Sequence, residues 1–383
     1  MRCNQMIRGL ILLLLLTGCR DETEIFKPEE EQVADSETTS IVGFYLLNEG
    51  NMGSNKSTLD YYEYESGTYF RNIYGAANPT VAKELGDVGN DIRIYGEKMY
   101  AVINCSNKVE VMNRHDATRI GQIDIPNCRY IRFHDGYAYV TSFAGPVEIN
   151  ADYKQRGFVA KVDTATLAVV DTCHVGYQPE ELAIVGNKIY VANSGGYMFP
   201  NYENRLSVID IPSFTHQGSI EVAINLHRVR ADKRGMLWVS SRGDYYDTPS
   251  SLYYVNTTTQ QVEGRIDVAA SAMHLDGDSL YLCGVDWSNV TMSNRVTYGI
   301  VDIAKKEVVS TQFITDGTDA AIKVPYGIAV HPLTKDIYLT DAKSYVTPGT
   351  LYCFSREGTL KWQVRTGDIP AHFVFVEEKR KAE

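Results

Sequence analysis

Along most of the chain, apolar and polar residues alternate in short runs separated by Gly, Asn or Asp, the period of half-buried β-strands. One run recurs. It reads as a turn residue or two, then apolar–aromatic–apolar, then Asn, Ser or Thr. Its copies are Lys98-Met-Tyr-Ala-Val-Ile-Asn104, Tyr137-Ala-Tyr-Val-Thr-Ser142, Lys188-Ile-Tyr-Val-Ala-Asn193, Met236-Leu-Trp-Val-Ser-Ser241, Ser279-Leu-Tyr-Leu-Cys-Gly284 and Asp336-Ile-Tyr-Leu-Thr-Asp341, with Phe44-Tyr-Leu-Leu-Asn48 a degenerate seventh. The aromatics lie roughly 40 to 57 residues apart, and each unit holds four strand-like runs. The pattern predicts an all-β chain, a β-propeller of four-stranded antiparallel blades; seven is the count, with six or eight as the alternatives.

The recurring phrase is the second strand of each unit. Third strands follow, as in Leu206-Ser-Val-Ile-Asp210, whose final Asp fits a turn opener that caps its own backbone. First strands precede, as in Asp91-Ile-Arg-Ile94, Tyr130-Ile-Arg-Phe133 and Arg228-Val-Arg-Ala231. The first unit, 41–74, lacks one on its N-terminal side. Ile369-Pro-Ala-His-Phe-Val-Phe-Val376 resembles Gln178-Pro-Glu-Glu-Leu-Ala-Ile-Val185 and is expected to complete that blade, closing the ring and removing its open edges. The propeller then spans 41–376, followed by a charged tail, 377–383.

The N-terminus reads differently. Arg2 and Arg8 precede the apolar run 10–16 and Thr17-Gly18-Cys19, a secretory signal too short to span a bilayer. Leu16-Thr-Gly-Cys19 resembles a lipobox, which implies removal of 1–18 and lipidation of Cys19. Arg20-Asp-Glu-Thr-Glu24 resembles the acidic tag of lipoproteins displayed on the outer surface of Bacteroidetes. Residues 19–40 then read as the lipidated Cys and a flexible acidic tether. Removing 1–18 deletes two Arg and no acid, so the mature chain is more negative than the −11 of the whole and is not expected to bind nucleic acid. Cys283 and Cys353 lie within apolar runs, whereas Cys105 and Cys128 fall at strand ends of neighbouring units where a disulfide is conceivable.

In an antiparallel blade, the loops between second and third strands share one face with the blade-to-blade connections. Here those loops are long and aromatic. They contribute Phe143, Tyr153 and Arg156 (143–157), Tyr197, Phe199 and Tyr202 (194–205), Tyr245 and Tyr246 (242–250), Trp287 (285–296) and Tyr345 (342–349). Exposed aromatics converging on one rim read as a ligand surface, and loop self-packing is the alternative. The blade-to-blade connections add Tyr177, Arg228, Tyr326 and His372 at the channel mouth, beside Asn90, Arg129, Glu180, His227 and Ser271. Catalytic signals are weak. There is no nucleophile elbow, zincin motif, P-loop or metal-binding Cys/His cluster, and the eight His are scattered singly.

Tyr139-Val-Thr-Ser142 and Tyr190-Val-Ala-Asn193 resemble the YVTN-type repeat of surface-layer and YncE-like propellers. With the lipobox and acidic tag, the chain resembles the BtuG-type lipoproteins of Bacteroidetes. That resemblance implies a cell-surface, outer-membrane lipoprotein that binds cobalamin on its loop-rich face and passes it to a TonB-dependent, BtuB-like transporter. Cobalamin would be cargo, with no catalytic cofactor, no metal site and no enzymatic activity. An extracytoplasmic propeller lyase or lactonase, and a protein- or glycan-binding adhesin, are the competing expectations.

Overall fold

In the computed structural model, which describes residues 27–81 and 84–378, every unit of the repeat becomes one antiparallel sheet. The second unit is typical, with strands Gly89–Tyr95, Lys98–Ile103, Lys108–Asn113 and Arg119–Asp124. Seven such sheets are present, so the expected all-β, seven-bladed propeller is observed. The innermost strands touch their neighbours in cyclic order, from Gly89–Tyr95 (blade 2) through Cys128–His134, Pro179–Val185, Leu226–Ala231, Ala272–Asp276 and Pro325–Val330 to Pro370–Glu377, which returns to Gly89–Tyr95. The N-terminal signal, Cys19 and most of the charged tail lie outside the described residues.

The repeat phrase explains the ring. Both faces of each blade are covered by a neighbour, so a period of two sends successive side chains into successive interfaces. Met99 and Ala101 pack against Tyr45 and Leu47 of blade 1, while Tyr100 and Val102 between them pack against Ile131 and Ala138 of blade 3. The same arrangement recurs around the ring, one apolar cluster per blade interface. Six of the seven repeat aromatics are buried, and Tyr281 is half-buried. At about 1.5–3 kcal/mol per buried large apolar side chain, these interfaces carry the fold blade by blade.

Blade 1 is built from both chain ends, as expected: Tyr45 pairs with Val374 and Leu46 with Phe373. Residues 29–32, expected within a flexible tether, instead form a fifth strand, Glu29–Gln32, on the outer edge, with Glu30 opposite Phe70. Its side chains are solvent-exposed, so no hydrophobic pattern marked it. The ladder, the Arg71 ion pairs to Glu29 (2.7 Å) and Glu31 (3.1 Å), and the packing of Val33 and Ala34 on the blade 7–blade 1 cluster hold it instead. The expected loop 285–296 is also mostly ladder: Ser279–Ser288 and Ser293–Asp302 pair out to Ser288 and Ser293. All five described cysteines are free, so Cys105 and Cys128 form no disulfide.

Candidate functional site

The two faces of the ring differ. First-to-second strand connections are short turns held by left-handed glycines such as Gly186 and Gly277, whereas second-to-third connections carry the long loops. On the loop-rich face a cleft of about 800 Å³ opens over blades 1 to 4, lined by Met52, Ile125, Pro126, Phe143, Val147 and Tyr197 among others. Phe143 is its buried floor, with the Arg129 guanidinium 4.8 Å from its ring centroid. Tyr197 is held at the edge of the cleft by its own N–H, which donates to Gln178 Oε1 at 2.7 Å, and by its carbonyl, which accepts from Asn150 at 2.8 Å.

Two residues further along the same loop the chain faces another way. The ring of Phe199 lies 5.7 Å from Tyr246 and 6.1 Å from Tyr202. Phe199 and Tyr246 are exposed, at 42% and 49%. Tyr245 and Tyr246 then share a smaller hollow of about 320 Å³ with Trp287 and Arg295. Loop 194–205 therefore joins a large apolar cleft to an exposed aromatic strip running over blades 4 to 6. Partial burial, with Tyr245, Asp244 and Tyr246 nearby, pushes the Tyr202 hydroxyl up to about 12, so it stays a neutral donor.

At the channel mouth the expected residues are present but already engaged. Tyr326 Oη donates to Glu49 Oε2 at 2.9 Å, and His372 Nε2 lies 3.0 Å from Glu49 Oε1. Tyr345 packs edge-on against Tyr326 at 5.9 Å. Arg228 is buried, donating to Tyr130 Oη (2.8 Å) and to the Ser271 carbonyl (2.9 Å). Glu180 clamps Arg129 (2.9 Å) and Arg242 (3.1 Å). Burial pushes the Glu180 carboxyl up, but the two guanidiniums outweigh it and hold it below the ordinary carboxylate range. Burial likewise drives His227 far below the ordinary histidine value, helped by Arg242 and Arg228, leaving it neutral.

Three further candidates, like the four at the channel mouth, line neither ligand surface. Tyr153 folds back on its own loop, donating to the Pro146 carbonyl at 3.2 Å. Arg156 is tied to the Val175 carbonyl at 2.6 Å, and half-buried Tyr177 lines neither the cleft nor the strip. Conversely, sequence reasoning passed over Met52, Ile125 and Pro126, apolar residues in loops that no periodicity singles out. It also passed over Arg93, Arg132 and Arg230, although each follows an apolar residue at one repeat position. Among the described residues no group of three His, Cys, Asp or Glu is placed to hold a metal ion.

Architecture and rim together define the class: a seven-bladed β-propeller whose irregular, aromatic loops gather on one face. The chain belongs to DUF5074, a domain of unknown function, which matches residues 42–376. No curated protein matches the sequence. Among solved structures, the chain is similar to a quinonprotein alcohol dehydrogenase-like protein of Bacteroides thetaiotaomicron, with TM-score 0.59, 12% identity and coverage of 89% of this chain and 79% of that one. It is also similar to the hydrazine synthase of Kuenenia stuttgartiensis, at TM-score 0.53 and 16% identity over 69% of this chain and 76% of the other. The Pan2 WD40 domain of Neurospora crassa aligns at 0.51 with 8% identity, covering 71% and 78%. At these identities the likeness is one of fold alone.

Proposed function

We propose that this propeller is an outer-membrane, surface-displayed lipoprotein that binds cobalamin or a related corrinoid on its loop-rich face and delivers it to a TonB-dependent transporter. The observation that carries this reading is loop 194–205, which places Tyr197 in the edge of an 800 Å³ cleft and Phe199 in an adjoining aromatic strip. A corrinoid offers a broad apolar ring edged with amides. An apolar cleft bordered by tyrosine hydroxyls and backbone groups suits both parts. The role is one of capture, without chemistry on the ligand.

Calorimetry with cyanocobalamin tests it. Saturable binding is expected, weakened about tenfold or more by Tyr197→Ala and by Phe199→Ala. No heat and no rise in melting temperature at excess ligand would sink the reading. The long rim loops contain no His. Bound aquocobalamin is therefore expected to keep an absorbance spectrum free of the shift that imidazole ligation of cobalt produces.

A further inference from the structure

Below the loop-rich rim the innermost strands enclose a cavity of about 410 Å³. Its polar wall consists of Arg93, Arg132, Arg228, Arg230, His274 and His372, and the rest is apolar; among the described residues no carboxylate lines it. Four of these side chains occupy one equivalent position, opposite the repeat aromatic: Arg93 pairs with Tyr100, Arg132 with Tyr139, Arg230 with Trp238 and His274 with Tyr281. Ala183, Ala329 and Val374 fill the same position in the other three blades, leaving the space open. Asp91 and Glu181, both fully buried, stand behind this ring. Arg132 reaches both (2.8 Å to Asp91), Arg230 reaches Glu181, and Arg93 reaches Asp91 at 3.2 Å. Arg228 forms an ion pair with neither, although Glu181 and Glu49 both act on it, and Glu49 pairs with His372 at the mouth, so four guanidiniums face three carboxylates.

We propose that this cavity binds a small organic anion through its phosphate or carboxylate group, gripped by Arg93, Arg132 and Arg230 with His274 as an additional donor. An excess of buried positive charge is costly unless an anion answers it, and guanidiniums match phosphate and carboxylate oxygens two at a time. Burial, reinforced by Arg132 and Arg230, brings Arg93 down to about 10. Burial also lowers His274 to about 4, so at neutral pH it presents one N–H. The cavity exceeds a bare oxyanion, and Met273, Ile328, Phe373 and Val374 give an organic body an apolar wall. Leu275 and Phe375, near the inner strands' ends, extend the wall toward the short-turn face, which makes this site separate from the rim.

The test is calorimetry and thermal melting of the whole chain with inorganic phosphate and with citrate, at constant ionic strength, and chloride as the control. Saturable binding of either, with a rise in melting temperature absent in chloride, is expected; which one binds names the group. Arg93→Gln should weaken it about tenfold or more, Arg93→Lys less. His274→Leu breaks no ion pair and should also weaken it, which covers the case of a misfolded arginine variant. Failure of both anions to bind at millimolar concentration, or affinity unchanged in both Arg93→Gln and His274→Leu, overturns the proposal. Cyanocobalamin titration of the same variants reads the rim independently, so either site can fail alone.

Discussion

A buried tyrosine hydroxyl is a cost unless it finds a partner, and the repeat tyrosines meet that cost unequally. Tyr338 and Tyr64 share a hydrogen bond of 2.8 Å across the blade 7–blade 1 interface, and Tyr45 donates to the Arg114 carbonyl at 3.0 Å. The buried hydroxyls of Tyr100 and Tyr139 have no hydrogen-bond partner among the described residues. Tyr139→Phe should therefore leave the urea midpoint unchanged or raise it, whereas Tyr338→Phe strands Tyr64 and should cost about 1–2 kcal/mol. Glu181 is the opposite case. Burial alone would raise its carboxyl, but Arg230 and Arg132 overcome this and hold it well below the ordinary range. A carboxyl depressed in the folded state stabilises fully above its unfolded value, about 4.3, and that stabilisation is lost as pH falls further. Glu181→Gln is thus expected to cost about 3–5 kcal/mol at neutral pH, with the gap to wild type shrinking below pH about 4.3 in pH-dependent urea unfolding.

At the level of elements, what could be read from sequence was whatever burial imposes on both faces of a strand. The second strands were legible because Met99, Tyr100 and Ala101 each enter an interface, and the ring closure was legible because 369–376 resembles the first strand at 178–185. Glu29–Gln32 was illegible because an exposed edge strand needs only backbone partners. The hairpin of blade 6 was read as a loop for the same reason: beyond Gly284 its arms leave the core, and Trp287, Val290 and Met292 are exposed. The candidate site was legible only as a list of aromatics. Which of them converge depends on loop backbone, so Tyr197 and Phe199 could not be told from Tyr153. The exposed hairpin tip offers a clean test. Replacing residues 287–294 by Asn-Gly, a two-residue turn that suits paired strands, should shift the melting temperature by only a few degrees. The same change removes Trp287 from the aromatic strip and should weaken cyanocobalamin binding, which calorimetry on the shortened protein would register.

For the whole molecule the decisive joint is blade 1, because each blade is stabilised by its neighbours and a ring has no end blade. Pro370–Glu377 is at once the innermost strand of blade 1, a wall of the channel and, through Phe373, part of the cluster joining blades 7 and 1. The first and last strands of the ring meet there, with the Glu378 N–H donating to the Ser40 carbonyl at 2.9 Å. Removing residues 369–383 leaves the Ile41–Asn48 strand with an unpaired inner edge and opens the cluster around Phe44, Tyr338 and Trp362. An opened ring behaves as a linear array with two raw ends and an exposed strand edge, which favours partial unfolding and association. Removing the residues up to Ser40 takes away an outer-edge strand, its two exposed ion pairs to Arg71, the contacts of Val33 and Ala34 and the single Ser40–Glu378 hydrogen bond. Such exposed pairs contribute about 0–1 kcal/mol each. The C-terminal truncation should therefore lose its near-ultraviolet circular dichroism and its single cooperative transition, while the N-terminal one keeps both and melts only a few degrees lower. A C-terminal truncation that still melts in one sharp transition would mean that the seventh interface is dispensable and that closure is not what holds the ring.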